Sequence, residues 1–215
     1  EQNKYSDELL QTADLEELFA TVDAVYIATP HEYHFAYAKQ ALEAGKHVLC
    51  EKPLALKGED ALELFELAKA RRLICMEAIK TAYCPGFAEI LRLIQEGAIG
   101  KTYDVEATFT KLGNASGREM WGDFAGSFLE LGSYVLLPVT KIFGTESKQS
   151  QAWSVDSVTG CDSYSKVTIM YEDASATVKT GLGVKSEGEL IVAGDSGYIR
   201  VPSPWWLTKR IEVHH

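Results

Sequence analysis

Glu51-Lys52-Pro53 is the segment of this chain whose residue types are best suited to chemistry. It follows the short apolar run 47–50, which comes after Gly45 and predicts a central parallel strand. The proline restricts Lys52 to extended geometry, so the lysine cannot be absorbed into a helix. A lysine held at such a strand end can hydrogen-bond a reacting hydroxyl and exchange a proton with it.

A second polar turn with a proline follows the neighbouring predicted strand. The apolar run 24–28 stops at Thr29-Pro30. In open α/β sheets, ligands bind beyond the carboxyl ends of the strands. Because the formal net charge is -10, a lysine at this edge is a candidate for chemistry rather than for solubility.

Two kinds of pattern divide the chain. From residue 6 to about 78, short apolar strands alternate with helices, which predicts βαβ units and a parallel sheet. Helices are expected at 14–19, where Asp14 is the cap, at 32–43 and at 59–70. The apolar face of the third helix consists of Leu62, Phe65, Leu67 and Ala68, with Leu64 beside it. One more strand is expected at 73–76.

After about residue 80, the pattern predicts an α+β domain with an open, mostly antiparallel sheet. The pattern predicts a helix at 87–96, a strand at 103–110, a polar loop at 113–126 and a helix at 127–143. The end of the chain is strand-rich from Gln151 onward. Residues 174–179 alternate apolar and polar, as in a sheet with one solvated face. Residues 194–197 predict a hairpin turn.

The composition excludes several classes of function. The acidic balance and a pI near 5.0 argue against nucleic acid or an anionic membrane as partner. No apolar run approaches the roughly 20 residues that span a bilayer. The four cysteines lack C-x-x-C spacing, so we expect free thiols in a reducing cytoplasm and no metal site. The start, Glu1-Gln2-Asn3, shows no signal peptide.

These motifs resemble the Gfo/Idh/MocA family, the group of glucose–fructose oxidoreductase and inositol dehydrogenase. The matching stretches are residues 23–30, His34, and residues 41–54, 97–100 and 129–134. Residues 76–79 look most like the dihydrodiol dehydrogenase and xylose dehydrogenase branch. The resemblance covers essentially the whole chain, and Glu-Lys-Pro after a strand is its most specific part.

The resemblance implies a fold and a function. Residues 1–79 would be the remainder of a dinucleotide-binding Rossmann domain, and residues 80–215 an α+β domain that binds substrate and forms a homodimer. The reaction would transfer hydride between NAD or NADP and a secondary alcohol of a sugar or polyol. The Lys52-Pro53 bond would be cis.

Lys52 and Tyr134 are the predicted catalytic pair. Tyr134 follows Gly132 inside a predicted helix, where glycine costs about 1 kcal/mol relative to alanine, and a close approach by ligand or backbone would explain it. A lysine ammonium favours the phenolate of a neighbouring tyrosine, which can then act as acid or base. Glu130 lies one turn earlier, where many relatives have Asp, and would contact substrate or orient Tyr134.

Other residues would line the two sides of the groove. On the nicotinamide side, the resemblance places Thr29, Pro30, His34 and Pro53, with Glu51 near the ribose and His31 where relatives usually carry Asn. Either histidine could instead only cap the following helix. The predicted substrate side consists of Tyr83, Arg118, Trp121 and Phe128, all four of which could simply pack.

One departure from the family keeps a second function open. Relatives begin with a glycine-rich turn that holds the cofactor pyrophosphate, whereas the first glycine here is Gly45. We therefore expect either a longer polypeptide or a protein that has lost half of its nucleotide site. The alternative is a non-catalytic dinucleotide- or sugar-binding regulatory protein; a reductase acting on C=N or C=C bonds also fits these residues.

Overall fold

The structure, a computed structural model, describes residues 11–113 and 117–215. The chain forms two compact units, the first ending at Ala78 and the second beginning at Ile79. Residues 6–10 of the predicted alternating region and residues 114–116 of the predicted loop lie outside the described residues.

The first unit contains the predicted parallel sheet. Its strands are β1 (Ala24–Ile27), β2 (His47–Cys50) and β3 (Cys75–Glu77), in the order β1-β2-β3. Val48 pairs with Val25 on one side and with Cys75 on the other. The helices are α1 (Leu15–Thr21), α2 (His31–Glu43) and α3 (Gly58–Arg71). The Asp14 side chain caps α1, as expected, by accepting from the amides of Glu16 and Glu17.

The apolar face predicted for α3 was wrong in its centre. Leu64 is fully buried, whereas Leu62 and Phe65 are 59% and 47% exposed. Leu64 shares a buried cluster with Ala38 and Ala41 of α2. The two alanines leave room for the larger leucine between the helices, so α3 presents the Leu64–Ala68 stripe to α2.

β3 begins two residues later than predicted because the end of α3 uses the intervening residues. Arg72 adopts a left-handed conformation (φ 56°), and the Leu73 amide donates to the Ala68 carbonyl at 2.8 Å. This bond satisfies one of the last helical carbonyls. Leu73 is therefore part of the helix end rather than of the strand.

The second unit has a seven-stranded sheet. Its strands are β4 (Thr102–Thr110), β5 (Gln149–Asp156), β6 (Asp162–Met170), β7 (Ser175–Gly181), β8 (Leu190–Gly194), β9 (Tyr198–Val201) and β10 (Glu212–His214). They lie in the order β10-β9-β8-β4-β7-β6-β5, and all pairs are antiparallel except β4 with β7. The prediction of an open, mostly antiparallel sheet is confirmed.

Two helices and three short 3-10 turns complete this unit. α4 (Pro85–Gln95) and α5 (Ser127–Phe143) contribute to the same buried core as the sheet. The 3-10 turns span Lys80–Tyr83, Arg118–Met120 and Trp205–Leu207. The last one interrupts the predicted strand-rich end of the chain. There the fully buried Trp205 points its indole N–H at the Thr108 carbonyl, 2.9 Å away.

No helix in residues 11–113 and 117–215 combines the length and the apolar character needed to cross a membrane.

The burial of α3 gives a matched stability test. Leu64→Ala leaves a cavity between α2 and α3, so we expect it to lower the free energy of unfolding by about 2–5 kcal/mol. Leu62→Ala, on the exposed face of the same helix, should change it by less than about 0.5 kcal/mol. Urea unfolding followed by circular dichroism measures both; equal losses would contradict the observed rotation of α3.

Candidate active site

The first unit brings the predicted cofactor residues together at one edge of its sheet. The Lys52-Pro53 peptide bond is cis. The Glu51 amide donates to the Ile27 carbonyl at 2.8 Å, and the Ala78 amide donates to the Cys50 carbonyl at 2.7 Å. The ends of all three strands are therefore joined by backbone hydrogen bonds, and the half-buried Lys52 follows directly.

His34 ties the two proline turns to each other. Its ring is fully buried in the first turns of α2. Nδ1 lies 2.7 Å from the Pro53 carbonyl oxygen, and Nε2 lies 2.9 Å from the Thr29 carbonyl oxygen. Both nitrogens are thus engaged with backbone, so we infer that His34 serves the nicotinamide side by holding these turns in place rather than by touching a ligand.

His31 supports this arrangement from the start of the same helix. It is buried, and its ring packs edge-on against His34 with centroids 5.6 Å apart. The alternative in which His34 only caps α2 does not match its contacts, since both of its nitrogens lie against carbonyls outside the helix.

Two carboxylates shape the turn that carries Lys52. Glu51 accepts from the Tyr26 hydroxyl at 2.6 Å and from the Lys52 amide at 3.3 Å; the bond to Glu51 raises the pKa of Tyr26. Glu77 accepts from the Leu54 amide at 3.0 Å. The prediction that Glu51 lies near the ribose stays a prediction.

Glu77 was missed as a site residue by the sequence analysis. The signal was present, because Glu77 ends the third parallel strand and so lies at the same sheet edge as Thr29 and Lys52. Its carboxylate provides a fixed acceptor for the chain just beyond the cis proline, which holds that turn against β3.

Thr29 has a buried hydroxyl that could bind a ligand. Among the described residues, Oγ1 of Thr29 and Oγ1 of Thr102 are the buried side-chain polar atoms without a hydrogen-bond partner. Leaving such a group unpaired costs about 1–3 kcal/mol. Thr29 also lines a groove of about 330 Å³ along β1. A polar group of a bound molecule would satisfy this hydroxyl.

The second unit places Glu130 and Tyr134 one turn apart on α5. Glu130 is only 7% exposed, and its Oε1 lies 3.9 Å from Nη2 of Arg118. The half-buried ring of Tyr134 packs edge-on against Phe109, with centroids 5.2 Å apart. The proximity of Tyr134 to Lys52 stays a prediction, since the two residues belong to different units.

Gly132 lies close to an aromatic side chain of its own unit. A Cβ at this position would lie 3.3 Å from the ring of Phe128, one turn earlier on the same helix. The expected approach of a ligand to Gly132 stays a prediction.

The predicted substrate-side residues divide by exposure. Tyr83 and Trp121 are 63% and 57% exposed, each at the end of a 3-10 turn. Phe128 instead packs against the core.

In the described part of the chain, no group of three or more His, Cys, Asp or Glu side chains could hold a metal ion.

Comparison with known proteins agrees with this fold. Residues 2–79 match the model of the GFO_IDH_MocA oxidoreductase family, described as an NAD-binding Rossmann fold. Residues 87–200 match that of the GFO/IDH/MocA C-terminal domain. The chain belongs to the GFO/IDH/MocA family of oxidoreductases.

Similar proteins include a dihydrodiol dehydrogenase and a xylose dehydrogenase. The chain is 31% identical over 199 residues to trans-1,2-dihydrobenzene-1,2-diol dehydrogenase of Danio rerio, covering 90% of this chain and 59% of that protein. It is 41% identical over 135 residues to D-xylose 1-dehydrogenase (NADP(+)) of Hypocrea jecorina, covering 58% and 34%. The chain thus spans about three fifths or less of these relatives.

A solved structure of similar fold contains a dinucleotide. The crystal structure of GenD2 from gentamicin A biosynthesis, in complex with NAD, superimposes with a TM-score of 0.81 at 25% identity. The match covers 89% of this chain and 58% of GenD2.

The contacts of His34 predict a specific loss of stability. His34→Ala removes the buried ring that lies against the Thr29 and Pro53 carbonyls and leaves a cavity, so we expect the free energy of unfolding to fall by about 2–4 kcal/mol. Gln40→Ala, at an exposed position of the same helix, is the control and should be nearly neutral. Urea unfolding tests both; a neutral His34→Ala would show that the ring does not hold the turns.

Proposed function

We propose that this protein is an NAD(P)-dependent oxidoreductase that transfers hydride to or from a secondary alcohol of a sugar or polyol-like substrate. The observation that carries the proposal is the strand-end turn in which Lys52 precedes the cis Pro53. The ring of His34 contacts the carbonyls of both this turn and the Thr29 turn. The match of residues 2–79 to an NAD-binding family model supports it.

The residues at the sheet edge fit a nicotinamide cofactor. The unpartnered, buried hydroxyl of Thr29 offers a hydrogen-bond donor and acceptor where the carboxyl ends of the strands meet. Thr29, Pro30, Glu51, Lys52 and Pro53 would hold the cofactor, with His34 and His31 keeping their turns in place. Bound there, NAD or NADP accepts or supplies the hydride.

The protein's own part in the reaction is to position the alcohol and move its proton. In the oxidation direction, the Lys52 amine or the Tyr134 oxygen would accept the hydroxyl proton of the alcohol. Glu130, Tyr83 and Trp121 would bind the other hydroxyls of the substrate. Glu130 suits this role because its carboxylate is buried and lies near Arg118.

The test of this function is Lys52→Met in the intact protein. Losing the group that binds the hydroxyl and moves its proton should lower kcat by about 10²–10⁴-fold. NAD(P)H binding, followed by fluorescence, should weaken much less, because the other cofactor residues remain. Lys57→Met removes the same charge from an exposed position five residues away and should leave kcat unchanged.

Two results would contradict the proposal. Unchanged kcat in Lys52→Met would remove the lysine from the reaction. Tight NAD(P)H binding by the unaltered protein with no turnover of any alcohol in a panel of sugars, polyols and dihydrodiols would favour the non-catalytic regulatory alternative.

We also propose a homodimer that forms through the open sheet of the second unit and works in the cytoplasm. All eight residues of edge strand β5 are exposed, including Trp153 at 60%. The four free cysteines suit a reducing compartment. Cell fractionation should therefore recover the protein in the cytoplasmic fraction.

The dimer has a direct test in solution. Light scattering coupled to gel filtration should give twice the mass of one chain, and Trp153→Arg should shift the protein toward monomer by placing a charge at the interface. Val158→Arg, at a fully exposed position in the β5–β6 turn, should not. A monomeric unaltered protein would refute the proposal.

A further inference from the structure

The helix that carries Glu130 and Tyr134 lacks a cap from its own sequence. α5 begins after Gly126, which has no side chain to offer its first amides. The first four N–H groups of a helix have no partner within the helix. At this buried start, with Ser127 fully inaccessible, those groups need an acceptor from elsewhere in the unit.

Asp162, the first residue of β6, supplies that acceptor. Its Oδ2 accepts from the Phe128 amide at 3.0 Å, from the Ser127 hydroxyl at 2.5 Å and from the Ser165 hydroxyl at 2.7 Å. The Ser127 hydroxyl also lies 2.9 Å from that of the buried Thr180. The carboxylate thus stands at the positive end of the helix and at the centre of a buried polar network.

The backbone at Gly126 is adapted to this carboxylate. A Cβ at Gly126 would lie 2.1 Å from Oδ1 of Asp162, far inside any real contact. The φ of Gly126 is +123°, which side-chain-bearing residues rarely adopt. Both features require glycine, so the chain meets the carboxylate in a single defined geometry.

We propose that Asp162 is a positioning residue for the reaction: it fixes the start of α5 and thereby the placement of Glu130 and Tyr134. This inference rests on the proposed function. Glu130 is directly coupled to the cap, because its amide bonds the Gly126 carbonyl at 3.1 Å. Tyr134 follows one turn later, so a change in the first turn displaces both side chains.

The cap itself can be tested without any assay of activity. In Asp162→Ala, hydrogen exchange of the amides of residues 127–130 should become about 5–10-fold faster, as expected for loss of a helix cap. The control is Asp173→Ala, which removes the same charge from an exposed position in the β6–β7 turn, paired with Lys101. Unchanged exchange in Asp162→Ala would overturn the proposal.

Asp162→Leu tests the effect on the reaction, because it removes both acceptor oxygens. It keeps a similar side-chain shape, so it guards against the loss of packing in the alanine variant. It should lower kcat by about 10–100-fold, the range for a misplaced catalytic group, while KM for the cofactor stays within about twofold. If the variant merely contained less folded protein, the total activity would fall, but kcat per folded molecule would stay at the value of the unaltered protein. An unchanged kcat would overturn the positioning role.

A combined variant separates positioning from an independent role. If Asp162 acts through Glu130 and Tyr134, adding Asp162→Leu to a Glu130→Gln, Tyr134→Phe variant should lower kcat by less than about twofold further. If the kcat losses of the separate substitutions multiply in the combined variant, the proposal is overturned. A normal kcat in Tyr134→Phe alone would instead overturn the proposed function and the positioning role with it, whereas the exchange result would stand as evidence of a purely structural cap.

Discussion

The contact of one buried histidine with two backbone carbonyls is the interaction on which the site depends. The carbonyls of Thr29 and Pro53 end the turns beyond β1 and β2, and neither lies in a strand where sheet pairing could satisfy it. A buried carbonyl without a partner is costly. Both ring nitrogens of His34 lie within 2.9 Å of these two oxygens, so the position of α2 sets the separation of the two turns and hence where Lys52 can lie.

Carboxylates perform a similar task in each of the two units. Glu51 and Glu77 accept from backbone amides next to the cis proline, and Asp162 accepts from the first turn of α5. Each holds a backbone segment that carries a proposed reactive side chain. The acidic composition therefore includes carboxylates with a definite architectural role. Their acceptor oxygens are directed at amides that secondary structure leaves unpaired.

Local sequence patterns predicted the positions of helices and strands well, but they predicted less well which side chains these elements bury. The strand at 47–50, the helix at 127–143 and the hairpin at 194–197 follow from apolar runs, glycine stops and turn residues. The face of α3 did not follow, because Leu62, Leu64 and Phe65 belong to overlapping stripes. Burial of Leu64 depends on the alanines of α2, a feature of the neighbouring helix. Likewise, Trp205 forms a turn because its indole reaches a carbonyl on β4.

The sequence by itself determined the alternation of strands and helices, the two proline turns and Lys52 as the candidate for chemistry, since each depends on neighbouring residues. Only the tertiary structure decided what holds these parts. His34 reaches a carbonyl 19 residues away, Leu54 reaches a carboxylate 23 residues away, and Phe128 reaches one 34 residues away. Such partners are chosen by strand register and helix rotation, which bring together groups that no local pattern connects.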